Sequence, residues 1–150
     1  MTTKAAVQDF LSQKVLAVVG VSRDAKKFGC AVYNDLKTKG YTVYPINPKA
    51  ETIGSDKCYP SLADLPEKPG GVIIVTSPAQ TEQVVRQAAQ AGIARVWLQQ
   101  GSETPAAIEF CKQNGIAVIS GECIFMYSEP SAWFHRAHRF VNTLVGKSLN

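Results

Sequence analysis

None of the four cysteines, Cys30, Cys58, Cys111 and Cys123, stands in a C-x-x-C pair. A zinc site built on closely paired ligands is therefore not expected, and the thiols read as small, reduced core residues. No apolar run approaches the roughly 20 residues that cross a bilayer. The N-terminal stretch MTTKAAVQDFLSQK has neither an apolar h-region nor a small-residue cleavage site, so a cytoplasmic protein without a signal peptide is expected. Charge is modest as well, 19% of residues with a formal net charge of +4. That balance suits an anionic small ligand better than nucleic acid. Internal repeats, low-complexity tracts and linkers are missing. What remains, 150 residues of which 45% are hydrophobic, is enough for one domain with one sizeable core.

The stretch KVLAVVGVSRDAKKFGCAVYND, residues 14–35, organises the rest. An apolar run from Val15 to Val19 meets a sharp turn at Gly20, and a helical pattern follows in Phe28, Val32, Tyr33 and Leu36. A strand that feeds a helix through a glycine turn offers unpaired backbone N–H groups and the positive end of a helix dipole, which is a phosphate-binding arrangement. Ser22 adds a hydroxyl, and Arg23, Lys26 and Lys27 add charge.

Along the chain, residues 5–11 carry a short amphipathic helical pattern that packs over a sheet edge. Strands are expected at 15–21, 41–46, 71–76, 94–98 and 116–119, with helices at about 25–39, 78–92 and 103–113 and a capped turn at Ser61. Strands alternating with helices imply a three-layer, doubly wound α/β fold with a parallel five-stranded sheet, Rossmann-like, in the expected strand order 3-2-1-4-5. A C-terminal tail at about 131–146 has an amphipathic helical pattern, so residues 1–150 read as one domain plus a helical tail. In such sheets ligands sit beyond the carboxyl ends of the strands, at the switch point. The loops there are 20–27, 47–49, 76–78, 99–102 and 120–123.

A dinucleotide fingerprint, G-x-G-x-x-G, fails here, because Ser22 and Ala25 occupy the later glycine positions. Nor does an acidic residue end the second strand to grip a ribose diol; that place holds Asn47-Pro48-Lys49. Lys49 is either a solvated loop lysine or the cation that meets a phosphorylated ribose, as in NADP or the 3′-phosphate of coenzyme A. Ser77 and Pro78 read as a helix cap that can also sit beside a ligand. Gln99, Gln100 and Gly101 bring two amides and close backbone access after the apolar Val96-Trp97-Leu98.

Taken together, VVGVSRDAKKFG, GYTVYPINPK, GSDKCYPSLADLP, VWLQQG and GECIFMY resemble the small stand-alone CoA-binding domain proteins. These are similar to the N-terminal CoA-binding domain of the succinyl-CoA synthetase α subunit, and the resemblance covers roughly residues 15–127. It implies a domain that binds CoA or acyl-CoA, with the pyrophosphate held by Gly20, Val21, Ser22 and Arg23, helped by Lys26 or Lys27. It puts Asn47, Pro48 and Lys49 at the adenosine 3′-phosphate end. Ser77 and Pro78 would line the pantetheine path, and Gln100 with Gly101 would close the far side. Members of that family often carry Arg-Pro-Ser where this chain reads Lys27-Phe28-Gly29. The synthetase's second domain, with its phosphorylated histidine, has no counterpart, so ligase activity does not transfer.

His135 and His138 lie one helical turn apart in a basic tail without an accompanying carboxylate or cysteine, so no metal site is expected. Cys123 follows the fifth strand, with Glu122 beside it on the opposite strand face, and no nucleophile–base–orienter set is visible. The leading expectation is a CoA carrier, sensor or accessory subunit with no catalytic residues of its own. Two readings compete with it: an NADP-binding oxidoreductase component, or an acyl-CoA-processing enzyme using Cys123. Neither nucleic acid nor membrane is an expected partner. The aromatic, basic tail offers a surface for a homodimer or a protein partner.

Overall fold

The computed structural model describes residues 3–22, 24 and 26–127. Arg23, the tail at about 131–146, His135 and His138 lie outside the described residues. Helix α1 (Lys4–Leu11) opens the chain, capped by Thr3, whose hydroxyl accepts from the Ala6 N–H. Strand β1 (Val15–Val19) leads through Gly20 to α2 (Phe28–Thr38) and then to β2 (Thr42–Ile46). The expected first strand stops two residues early, and the helix expected after Asp24 starts three residues late. The intervening residues form a wide turn. A small antiparallel hairpin, β3 (Thr52–Ile53) and β4 (Asp56–Lys57), then turns at Gly54 with φ 62°. The rest alternates: β5 (Gly71–Ile74), α3 (Pro78–Gln90), β6 (Arg95–Gln99), α4 (Pro105–Gln113) and β7 (Ala117–Glu122), closed by a 3-10 turn at Ile124–Tyr127.

The large sheet is wholly parallel. Its three central strands, β1, β5 and β6, lack alternation because helices cover both faces. Leu16, Val18, Ile73 and Trp97 point toward α1 and α2, where Val7, Phe10, Val32 and Leu36 meet them. Ala17, Val19, Val72, Ile74, Val96 and Leu98 point the other way, against Val84, Val85 and Ala88 of α3 and Ala107 and Cys111 of α4. Phe10 packs edge-on to Trp97, with ring centroids 5.4 Å apart.

The strand order is β2-β1-β5-β6-β7, so the five main strands run 2-1-3-4-5 rather than the expected 3-2-1-4-5. The reason lies at Pro45. The outer edge of β2 is met by a single residue, Tyr59, whose N–H donates to the Pro45 carbonyl (3.0 Å) and whose carbonyl accepts from the Asn47 N–H (2.9 Å). Pro45 has no N–H to offer on that edge, so a further strand cannot pair along it, and proline belongs on edge strands. All four residues of β5 are buried, which fits an interior place beside β1.

Ser61 also departs from expectation. Its hydroxyl donates to the Asp64 carboxylate (2.7 Å) and does not cap the backbone, and only a 3-10 turn, Leu62–Asp64, forms there.

Candidate functional site

At the carboxyl ends of the strands five segments come together in sheet order: 47–49 after β2, 20–27 after β1, 75–78 after β5, 99–102 at β6, and 120–123 at β7. The order reverses between β1 and β5, which places the switch point between Gly20 and Val75. Gly20 has φ 106°, and a Cβ built on it would lie 2.0 Å from the Val75 carbonyl oxygen, so only glycine fits. Gly29, in the first turn of α2, is equally constrained: its Cβ would lie 2.3 Å from the Gly20 carbonyl oxygen. Gly29 thus lets the helix close onto the turn, a role that spacing alone did not reveal because the fingerprint expects that glycine much earlier.

Within the turn, the Ser22 hydroxyl accepts from the Asp24 N–H (3.0 Å), and the Asp24 carboxylate accepts from the Lys26 N–H (3.0 Å). The Cys30 thiol donates to the Ser22 carbonyl (3.3 Å). Helix α2 starts at Phe28 after Lys27, and no side chain caps it. Its dipole therefore opens onto the turn, with the exposed Lys26 and Lys27 on the same rim.

Asn47 joins the first two loops. Its amide N–H donates to the Val21 carbonyl (2.7 Å), and its amide oxygen accepts from the Lys49 N–H (2.8 Å). Both ends of the Asn47 side chain are therefore engaged in shaping the turn, while Pro48 and Lys49 project into solvent. Below, the hairpin is docked on α2 through Asp56, which accepts from Tyr33 (2.5 Å) and pairs with Lys37. Bonds from Lys37 and Tyr33 hold the Asp56 carboxyl below the usual carboxylate range, and burial followed by the bond to Asp56 pushes the Tyr33 phenol up.

Ser77 is the N-cap of α3 and Pro78 its first residue, yet the Ser77 hydroxyl makes no capping bond, and both residues are exposed. Two residues that drew little attention in the sequence fasten this loop to its neighbour. The buried Thr81 hydroxyl donates to the Ser102 carbonyl (2.6 Å), and the Ser102 hydroxyl accepts from the Thr76 N–H (3.1 Å). Of the two glutamines, Gln99 is buried and accepts from the Ile124 N–H (3.1 Å), whereas Gln100 is exposed. Glu103 was likewise missed. One of its carboxylate oxygens accepts from the Gly101 N–H (2.8 Å) and the other from the Gly121 N–H (3.1 Å), bridging the fourth and fifth loops. Only the fold brings those two glycine amides together.

At the last loop, β7 continues through Gly121 to Glu122 with a register shift against β6. The Glu122 carboxylate accepts from the buried Tyr127 phenol (2.6 Å), and its carbonyl accepts from the Trp97 indole N–H (3.2 Å). Burial, and then the bond to Glu122, push the Tyr127 phenol up, so it remains a donor at neutral pH. Cys123 is half-buried, whereas the other three cysteines are buried. Burial drives the Cys111 thiol up to about 11 and raises Cys58 as well. Among the described residues no cluster of three or more His, Cys, Asp or Glu could hold a metal ion, and no helix is long and apolar enough to cross a membrane. A groove between residues 61–69 and the last turns of α3 lies away from these loops and contains none of their residues.

Comparison with known proteins gives this geometry its context. The ADP-forming acetate–CoA ligase II of Archaeoglobus fulgidus is 36% identical over 89 residues, which is 58% of this chain and 13% of that enzyme. The α subunit of ADP-forming acetate–CoA ligase II from Pyrococcus furiosus is 27% identical over 126 residues, covering 77% of this chain and 28% of the subunit. The chain thus spans only a small part of these ligases. A solved structure of similar extent, a conserved hypothetical protein from Pyrococcus furiosus, superposes with a TM-score of 0.71 at 33% identity, covering 74% of this chain and 96% of that one. Residues 14–129 match the CoA binding domain family, and the chain is a member of it.

Proposed function

We propose that this protein is a non-catalytic CoA-binding protein, a carrier, sensor or accessory subunit that holds CoA or acyl-CoA across the carboxyl ends of β2, β1, β5 and β6. The observation that carries this reading is the uncapped start of α2 at Phe28, drawn onto Gly20 through Gly29 and flanked by Lys26 and Lys27. Backbone amides, a helix dipole and two cations at one switch point suit a pyrophosphate. Gly20, Val21, Ser22 and Arg23 are assigned to that group. On the neighbouring loop, Asn47 presents Pro48 and Lys49, and none of the described residues ion-pairs with Lys49. Lys49 is assigned to the adenosine 3′-phosphate. Ser77, with its hydroxyl not used as a cap, and Pro78 are assigned to pantetheine, and Gln100 with Gly101 to the far side.

Absence of catalysis draws support from how the nearby carboxylates are employed. Glu103 is held by two backbone amides and Glu122 by Tyr127, so each already serves as a structural acceptor.

Calorimetric titration with CoA, dephospho-CoA and NADP⁺, repeated on Lys49→Ala, tests the reading. CoA is expected to bind more tightly than dephospho-CoA, and Lys49→Ala to erase that difference. Loss of one charge-assisted contact is worth about 1.5–3 kcal/mol, roughly ten- to hundredfold in affinity. Binding of NADP⁺ without CoA would move the protein to a redox role and refute the assignment.

A further inference from the structure

We infer that the ligand site selects acyl groups by charge, accepting the free thiol and apolar acyl groups while rejecting acyl groups that end in a carboxylate. The inference rests on the CoA reading above and concerns the end of the site opposite the phosphates.

Sheet order fixes which loops the ligand crosses. Neighbouring strands lie about 4.8 Å apart, so the loops of β2 and β7 are separated by about 19 Å along the carboxyl edge. The lysines of this edge, Lys26, Lys27 and Lys49, all belong to the β1 and β2 loops. Asp24, in the same turn, directs its carboxylate at its own loop through the Lys26 N–H. A ligand with its phosphates on the lysines must lay its remaining length over β5 and then β6 and β7. Its thiol end therefore arrives beside the loops that Glu103 ties together.

There the charge changes sign. Among the described residues of 99–103 and 120–127, the charged groups are Glu103 and Glu122, and no lysine or arginine accompanies them. Neither carboxylate is free to turn away. Glu103 is fixed by the Gly101 and Gly121 amides, and Glu122 by the buried Tyr127 phenol. A third carboxylate brought into this corner by the ligand meets two fixed like charges, and none of the described residues of these two loops offsets them.

Apolar surface lies on the same side. Phe28, at the start of α2, packs edge-on to Phe125 with ring centroids 5.2 Å apart, linking the phosphate turn to the segment after β7. Phe28 at 43% and Met126 at 53% exposure are the large apolar side chains left open to solvent among the described residues. An aliphatic acyl chain gains by covering such surface, whereas a carboxylate must be desolvated against it.

Butyryl-CoA and succinyl-CoA have acyl groups of the same carbon count and differ in the terminal carboxylate, so they isolate the effect. Calorimetric titration of the full chain at low ionic strength should show succinyl-CoA binding at least tenfold more weakly than butyryl-CoA. The ratio should shrink as salt rises. In Glu122→Gln, where the amide oxygen still accepts from Tyr127, the ratio should fall severalfold, and it should approach one in Glu103→Gln/Glu122→Gln. Equal binding of the two thioesters by the wild type overturns the inference while leaving CoA binding intact. A ratio that survives Glu122→Gln in a protein with an unchanged melting temperature also overturns it. Failure of CoA itself to bind overturns both this inference and the reading beneath it.

Discussion

Gly29→Ala is expected to lower stability and weaken CoA binding together, although alanine is ordinarily the better helix residue by about 1 kcal/mol. The Cβ added at Gly29 would lie 2.3 Å from the Gly20 carbonyl oxygen and 3.0 Å from its carbon. Both neighbours are backbone, so no rotamer change relieves the contact, and α2 and the turn must part. Overpacking of this kind costs about 1–3 kcal/mol, and a rigid neighbour places the case at the upper end. Subtracting the helix-propensity gain leaves a net loss of about 2 kcal/mol, which for a chain of this length lowers the melting temperature by roughly 4–8 °C. Moving the turn also misplaces the amides assigned to the pyrophosphate. Loss of even one such bond to a charged group reduces affinity about ten- to hundredfold. Ala31→Gly on the exposed face of the same helix is the control. It should lose about 1 kcal/mol through helix propensity and leave affinity unchanged. Thermal melts followed by circular dichroism, with calorimetric titration of CoA, read both quantities. A higher melting temperature in Gly29→Ala would refute the packing argument; a lower one with unchanged affinity would remove the turn from the ligand site.

Two further outcomes are expected. Asp56 has its pKa depressed by Lys37 and Tyr33, so its stabilising effect is present above the unfolded value near ~3.9 and is lost as pH falls through the lower folded value. Asp56→Asn should therefore melt below the wild type at pH 7, with the gap closing as pH drops below about 4; a gap that stays constant with pH means the hairpin is not held by this charge. Cys123, half-buried where the other three thiols are buried, should be the first to react with a disulfide reagent under native conditions, and Cys123→Ser should abolish the fast phase. A fast phase that persists in that variant would place the accessible thiol elsewhere.

Much of the architecture was legible because periodicity reports burial directly. The run at 71–74, apolar at every position and bounded by turn residues, reads as a strand covered on both faces, and a strand forms there, two residues shorter than expected. Strand order was misjudged although a sign of it was present: Pro45 in the second strand marks an edge, and an edge strand cannot lie between two others. That the candidate loops share one edge was legible for a different reason, since every parallel strand must deliver its carboxyl end to the same rim. Their fastenings were not. Thr81, Ser102 and Glu103 act across 21 residues for the Thr81–Ser102 bond and 18 for the Glu103–Gly121 bond, distances at which sequence spacing carries no signal. Asn47 was picked out, but its side chain proves to be a clamp on Val21 and Lys49, leaving only Pro48 and Lys49 projecting from the turn.

The corrected strand order bears directly on the ligand. With order 3-2-1-4-5, the loop carrying Ser77 would lie outside that of Lys49, at the edge of the sheet. Gln100 and Gly101 would then sit next to Gly20. A ligand with its 3′-phosphate at Lys49 and its pyrophosphate at Gly20 would run away from Ser77 and Pro78, so the residues assigned to pantetheine would lie off its path. With β5 beside β1, the loops follow one another as Lys49, Gly20, Ser77, Gly101 and Gly121. At the switch point on that path, a Gly20 Cβ would stand 2.0 Å from the Val75 carbonyl oxygen. The edge proline that ends the sheet at β2 thus also sets the loop order on which the proposed path of a single extended ligand, from the cationic loops to the acidic ones, depends.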